Sequence, residues 1–165
     1  MPILDAHTFE FLSRSPEQTR RIGMRLGSAL QSGDVICLQG ELGAGKTTFV
    51  QGVAQGWGSL DSVSSPTFIL VNEYRRADDG RLFHLDAYRL ETLPEAEELD
   101  LDTMLINGAL LIEWPERLEP LIPHERIWVN LTHAAEEQRQ MLFKASGARY
   151  DALLAELKQA IIGGG

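Results

Sequence analysis

Short runs of unbroken apolar residues alternate along this chain with longer stretches whose apolar positions recur at helical spacing. Residues 34–39 carry Val35, Ile36, Cys37 and Leu38 in succession, and residues 109–112 are apolar throughout. Runs of this length with no polar face suit strands buried on both sides. Between 16 and 31, Ile22, Leu26, Ala29 and Leu30 fall on one face of a helix. Its start is marked by Ser15 as N-cap, Pro16 in the first turn and Gln18 three positions after the cap, with Gly33 as its stop. Residues 46–55 contain no proline and continue as a second helix until 55–59 breaks the pattern. Residues 68–75 and 81–85 flank an Asp79-Gly80 turn and predict a β-hairpin. Short helices are expected over 94–98 and 100–107, stopped by Gly108. Strand 126–132 has 140–145 as its partner, and a last helix over 149–161 presents Leu153, Leu154 and Leu157 before the closing glycines. Residues 1–12 supply a first strand anchored by Ile3, Leu4, Phe9 and Leu12. Buried strands interleaved with helices predict an α/β fold: a mixed, mostly parallel sheet flanked by helices, with an antiparallel hairpin.

The segment joining the first buried run to the second helix is Gly40-Glu41-Leu42-Gly43-Ala44-Gly45-Lys46-Thr47-Thr48. It satisfies G-x-x-x-x-G-K-[ST] in the order strand, loop, helix, which is the context a phosphate-binding loop requires. A triphosphate is gripped by backbone N–H groups pointing inward, and side chains at Gly40, Gly43 and Gly45 would obstruct that approach or forbid its dihedrals. The helix beginning near Lys46 aims its positive end at the phosphates. Lys46 can reach the β and γ oxygens, and the Thr47 hydroxyl can ligate Mg²⁺.

Composition narrows the function further. A chain of 165 residues, 44% of them hydrophobic, can bury one good core, so a single phosphate-loop NTPase domain spanning 1–165 is expected. The formal net charge of −9 opposes non-specific binding to nucleic acid, so a nucleic-acid role should pass through a partner. Cys37 is the one cysteine and lies inside an apolar run, which reads as a buried structural thiol in a reducing compartment. His7, His84, His124 and His133 lie far apart and form no zinc motif. With no signal peptide and no run of about 18 apolar residues, a cytoplasmic location is expected.

A phosphate loop also needs an acid for Mg²⁺, usually at the carboxyl end of a neighbouring strand. Glu113 follows the apolar run 109–112, and Asp86 ends the second arm of the hairpin; both qualify, although an acid after a strand is also often a cap or turn residue. Thr67, in Ser64-Ser65-Pro66-Thr67, stands where other phosphate-loop enzymes keep a hydroxyl that senses the γ-phosphate, or it is a turn residue held by Pro66. Trp114 is either a packing residue or a stacking or partner contact beside the site. The acids Glu91, Glu95, Glu97, Glu98, Asp100 and Asp102 read as a solvated surface or a partner face, and Arg20, Arg21 and Arg25 as a solvated helix face.

Four motifs occur in one order: Gly40 to Thr48, Ser65-Pro66-Thr67-Phe68 leading to Val71-Asn72-Glu73-Tyr74, His84-Leu85-Asp86-Ala87-Tyr88-Arg89-Leu90, and Ile112-Glu113-Trp114-Pro115-Glu116. Together, over residues 15–131, they resemble the TsaE family, the small bacterial P-loop ATPase of the tRNA threonylcarbamoyladenosine pathway. The resemblance implies ATP binding by Glu41, Leu42, Gly43, Ala44, Gly45, Lys46, Thr47 and Thr48, with Mg²⁺ held by Thr47 and Glu113. It implies that Asp86 is an essential acid near the metal and the attacking water, and that Thr67 places its hydroxyl near the γ-phosphate. Its implied partners are TsaB and TsaD, which would make tRNA an indirect partner, consistent with the acidic balance. The expected activity is ATP hydrolysis, weak in isolation because no arginine finger is evident beyond Arg89 as a candidate. A small-molecule kinase and a non-hydrolysing ATP-dependent interaction module are the alternatives.

Overall fold

A computed structural model of the chain describes residues 6–41, 43–63 and 71–164. Seven strands form one sheet in the order β1-β7-β6-β2-β5-β4-β3, and the elements follow the chain as β1 (Thr8–Ser13), α1 (Pro16–Ala29), β2 (Val35–Gln39), α2 (Lys46–Trp57), β3 (Val71–Arg75), β4 (Arg81–Asp86), α3 (Leu93–Glu97), α4 (Leu101–Asn107), β5 (Ala109–Glu113), β6 (Arg126–Ala135), β7 (Gln138–Ser146) and α5 (Ala148–Gly164). The four central strands, β6, β2, β5 and β4, run parallel. Antiparallel pairs complete both edges, β3 on β4 at one side and β7 with β1 at the other.

The apolar runs are continuous because the sheet is covered on both faces. Ile36 and Leu38 of β2 face a core shared with α1, α2 and α5, including Leu26, Phe49, Val53, Leu153 and Leu154. Val35 and Cys37 face the opposite core, with Leu85, Leu110, Ile112, Ala96, Leu101 and Leu118. Alternation thus sends neighbouring residues into two different apolar environments. Burial pushes the Cys37 thiol up to about 12, which leaves it neutral and inert.

The start of α1 follows the local signals. Ser15 Oγ accepts from the Gln18 N–H at 3.2 Å, and Gln18 Oε1 accepts in return from the Arg14 N–H at 2.7 Å. Its end does not: the helix stops at Ala29, before the expected 31, because Leu30 turns extended into the core and Gln31 N–H is taken by the Asp34 carboxylate. The same carboxylate holds Arg149 of α5 at 2.7 Å, so the last helix is tied to the start of β2.

Helix α2 runs through the expected break at 55–59 to Trp57. Gly56 is accommodated inside the helix because a Cβ there would lie 2.0 Å from the Met24 carbonyl oxygen of α1. The β6–β7 hairpin is also longer than expected at both arms, since its exposed tip is held by backbone pairing without an apolar alternation. Helix α5 likewise extends into the closing glycines. Residues 1–5, with Ile3 and Leu4, and residues 64–70 lie outside the described residues.

Candidate functional site

The carboxyl ends of β2, β4 and β5 lie side by side. Leu38 pairs with Glu113, and Glu113 with Asp86. In a parallel sheet this edge is where ligands bind, because the connections leaving neighbouring strands part there. The loop from Gly40 to Lys46 leaves β2 at this edge and opens α2 at Lys46. Gly45, the N-cap residue, has φ +99°, and Gly43 has φ +83°, so both positions need a residue that tolerates the left-handed region.

Lys46 is 6% exposed, and its Nζ has no hydrogen-bond partner among the described residues. The ammonium lies 4.0 Å from the centroid of the Trp114 ring. Burial lowers its pKa, while the charges of Glu113, Asp86 and Glu116 act in the opposite direction without prevailing. A buried cation left without an acceptor is an expensive arrangement unless an anion completes it. Thr47 follows on the exposed side of the first helical turn, and Thr48 is half-buried.

Glu113 is itself 8% exposed at the end of β5. Its Oε2 lies 2.6 Å from His84 Nε2, and His84 Nδ1 lies 2.9 Å from the Tyr74 hydroxyl. A carboxylate only accepts, so Nε2–H donates to Glu113, and in the neutral ring Nδ1 accepts from Tyr74. This chain, buried from end to end, fixes one carboxylate oxygen and leaves the other outside the chain of contacts. Asp86 is half-buried. Desolvation is the largest influence raising its pKa, and the Glu113 charge adds to it, whereas a hydrogen bond from the Tyr88 N–H at 3.0 Å works the other way.

Of the residues expected from sequence, Lys46, Asp86 and Glu113 converge on one edge, with Thr47 beside them. Glu41, Gly43, Ala44 and Gly45 form the loop, while Thr67 and Leu42 lie outside the described residues. Arg89 is exposed one residue beyond Tyr88. A cleft of about 600 Å³ borders the loop on its β6 side and includes Gly43, Trp114, Leu131 and His133.

Sequence reasoning assigned no role to His84, Tyr74 or Arg139. His84 and Tyr74 are polar residues in otherwise buried strand positions, a signal that could have pointed to a partner. Trp114 is more than a packing residue: at φ +58° it meets Lys46, and its ring lies 5.0 Å from that of Tyr88. A bulky residue held at positive φ marks a place where the surroundings dictate the backbone.

The family model described as Threonylcarbamoyl adenosine biosynthesis protein TsaE matches residues 13–141, well over half of the chain. This chain belongs to the TsaE family. Among its relatives, the tRNA threonylcarbamoyladenosine biosynthesis protein TsaE of Bacillus subtilis is 40% identical over 148 residues, covering 88% of this chain and 90% of the relative. The protein of the same name from Nostoc sp. is 44% identical over 144 residues, covering 83% and 85%. The crystal structure of Bacillus subtilis YdiB superposes with a TM-score of 0.75 at 32% identity, covering 93% of this chain and 96% of that one. The TsaE match spans every element that builds the candidate site, from the cap of α1 to the middle of β7.

Proposed function

We propose that this TsaE-family chain is a Mg²⁺-dependent ATPase that supports threonylcarbamoyl transfer to adenosine 37 of tRNA by acting on a TsaB–TsaD complex. The observation that carries this reading is the buried Lys46 ammonium at the end of a glycine loop, without a hydrogen-bond partner among the described residues and within the electrostatic influence of two strand-end acids. The names of the relatives supply the pathway.

The residues present fit both triphosphate and magnesium. A loop of glycines beside an orphaned cation suits phosphate oxygens. A hydroxyl at Thr47 and a carboxylate oxygen of Glu113 are the hard oxygen donors that magnesium takes alongside phosphate. Bound there, the metal would offset charge on the phosphoryl oxygens.

Lys46 would bind the β and γ oxygens, and the N–H groups of residues 43–48 and the helix end would orient the chain of phosphates. Glu113, steered by His84 and Tyr74, would hold its free oxygen toward the loop. Asp86, whose pKa burial already raises, would orient the attacking water and take its proton. Trp114 would cover Lys46 and exclude bulk water. With no arginine assigned to the γ-phosphate, turnover in isolation should be slow, and TsaB and TsaD should raise it.

Phosphate release with and without those partners tests the reading. Stimulation in the wild type, lost in both Lys46→Ala and Asp86→Asn, is expected. Equal rates with and without partners would reject the coupling. Pathway function retained by Asp86→Asn but not by Lys46→Ala would leave a nucleotide-dependent interaction module instead.

A further inference from the structure

Among the described residues, two buried side-chain polar atoms lack a hydrogen-bond partner: Lys46 Nζ and Arg139 Nε. Both belong to cations, and both lie against the same glycine loop. Arg139 stands near the start of β7, opposite His133 of β6. Its Nη2 donates to the Gly43 carbonyl at 3.2 Å, and its Cγ and Nε lie 3.6 Å from where a Cβ on Gly45 would be. Nη1 donates to the carbonyls of Gln138 and Ala135, at 2.9 and 3.3 Å.

Every hydrogen-bond partner of this guanidinium among the described residues is a neutral carbonyl. Among the described residues no carboxylate lies within ion-pair distance of it, in a chain with 24 acidic residues. A guanidinium carries five donors in a planar fork matched to carboxylate or phosphate, and Nε is one edge of that fork. A half-buried guanidinium with no acidic partner among the described residues, whose Nε is buried against the glycine loop, points to an anionic ligand at that place.

We propose that Arg139 is a second cationic contact for the nucleotide, meeting its α- and β-phosphates from the β6–β7 side of the loop. The inference rests on the ATP reading above and adds to it a residue and an orientation. Lys46, Asp86 and Glu113 define the end of the loop that receives the terminal phosphate. Arg139 approaches from the other side, across β2, next to the cleft lined by Leu131 and His133. The part of the ligand it reaches is thus the part that ATP and ADP share. Binding would exchange a weak carbonyl contact for a charge-assisted one.

Isothermal titration of the full chain with ADP and with ATP, each with Mg²⁺ and at several salt concentrations, tests this. In Arg139→Ala, affinity for both nucleotides should fall about tenfold, and the salt dependence should become shallower because one cation–phosphate contact is gone. Arg139→Lys keeps the charge without the fork and should recover the wild-type salt dependence and part of the affinity. Arg139→Ala with wild-type affinity would overturn the proposal. So would a loss of affinity with unchanged salt dependence, which is the behaviour of a brace on the Gly43 carbonyl. A loss of ATP turnover with ADP affinity intact would move Arg139 to the terminal phosphate and also overturn it. In each of those cases wild-type binding keeps the ATP reading standing. A wild type that binds neither nucleotide would remove that reading and this proposal together.

Discussion

Glu113 is buried at the end of β5, and the hydrogen bond from His84 holds one of its carboxylate oxygens in place while the other takes no part in that bond. Cys37, one strand away in β2, shows the contrasting outcome: burial with no partner leaves a neutral thiol with no chemistry. Positioning of this kind predicts a specific defect. His84→Ala should raise the Mg²⁺ concentration needed for half-maximal ATP hydrolysis by about tenfold or more. Nucleotide binding measured without metal should change little by comparison. His84→Gln retains a side-chain N–H donor and should fall between the two. A magnesium titration of ATPase activity checks this, and an unchanged metal requirement in His84→Ala would assign His84 to packing alone.

At the scale of elements, the site depends on how closely α2 is held against α1. Gly23 and Gly27 on α1 meet Gly52 and Gly56 on α2, each pair spaced four apart. A Cβ on Gly27 would sit 2.0 Å from the Val53 carbonyl oxygen, and one on Gly52 would sit 2.1 Å from that of Arg20. Backbone faces backbone at this crossing, so no rotamer change can make room. Gly27→Ala should therefore destabilise the protein by about 3 kcal/mol despite alanine's better helix propensity, as a shift in denaturant midpoint would show. A midpoint at or above that of the wild type would mean that the helices separate freely. The four-residue spacing was visible in the sequence, yet these glycines interrupt the apolar stripe of α1, and Gly56 reads as the end of α2. What was legible was local: the two-faced strands β2 and β5, the Ser15 cap, the Asp79-Gly80 turn and the acids ending β4 and β5. The glycine crossing, the Tyr74–His84–Glu113 chain and the approach of Arg139 to Gly43 all join residues far apart in sequence. Such contacts depend on strand order and register, which local periodicity does not encode. The tip of β6–β7 was missed for a different reason, since its exposed residues carry no apolar alternation.

For the whole molecule, the same edge of the sheet that concentrates functional groups also concentrates unfavourable burial. Lys46, Asp86 and Glu113 lie where three parallel strands end, and around them the sheet is covered by apolar cores on both faces. Proteins tolerate such a cost where a ligand later relieves it. Replacing the unpartnered ammonium by an apolar side chain of similar length should remove the cost and the function together. Lys46→Met is expected to melt at a higher temperature than the wild type when neither carries nucleotide. The order should reverse on adding Mg²⁺ and ATP. At about one hundred times the dissociation constant, ligand linkage contributes about 2.7 kcal/mol to the wild type. For a chain of this length that corresponds to a rise of about 5–10 °C in melting temperature. Lys46→Met should show almost none of it. Thermal melts of both proteins, with and without Mg²⁺ and ATP, provide the four temperatures needed. If Lys46→Met melts lower than the wild type without ligand, the buried ammonium is stabilising through Trp114 and the neighbouring acids. The loop would then be a settled structural element, already satisfied without a phosphate.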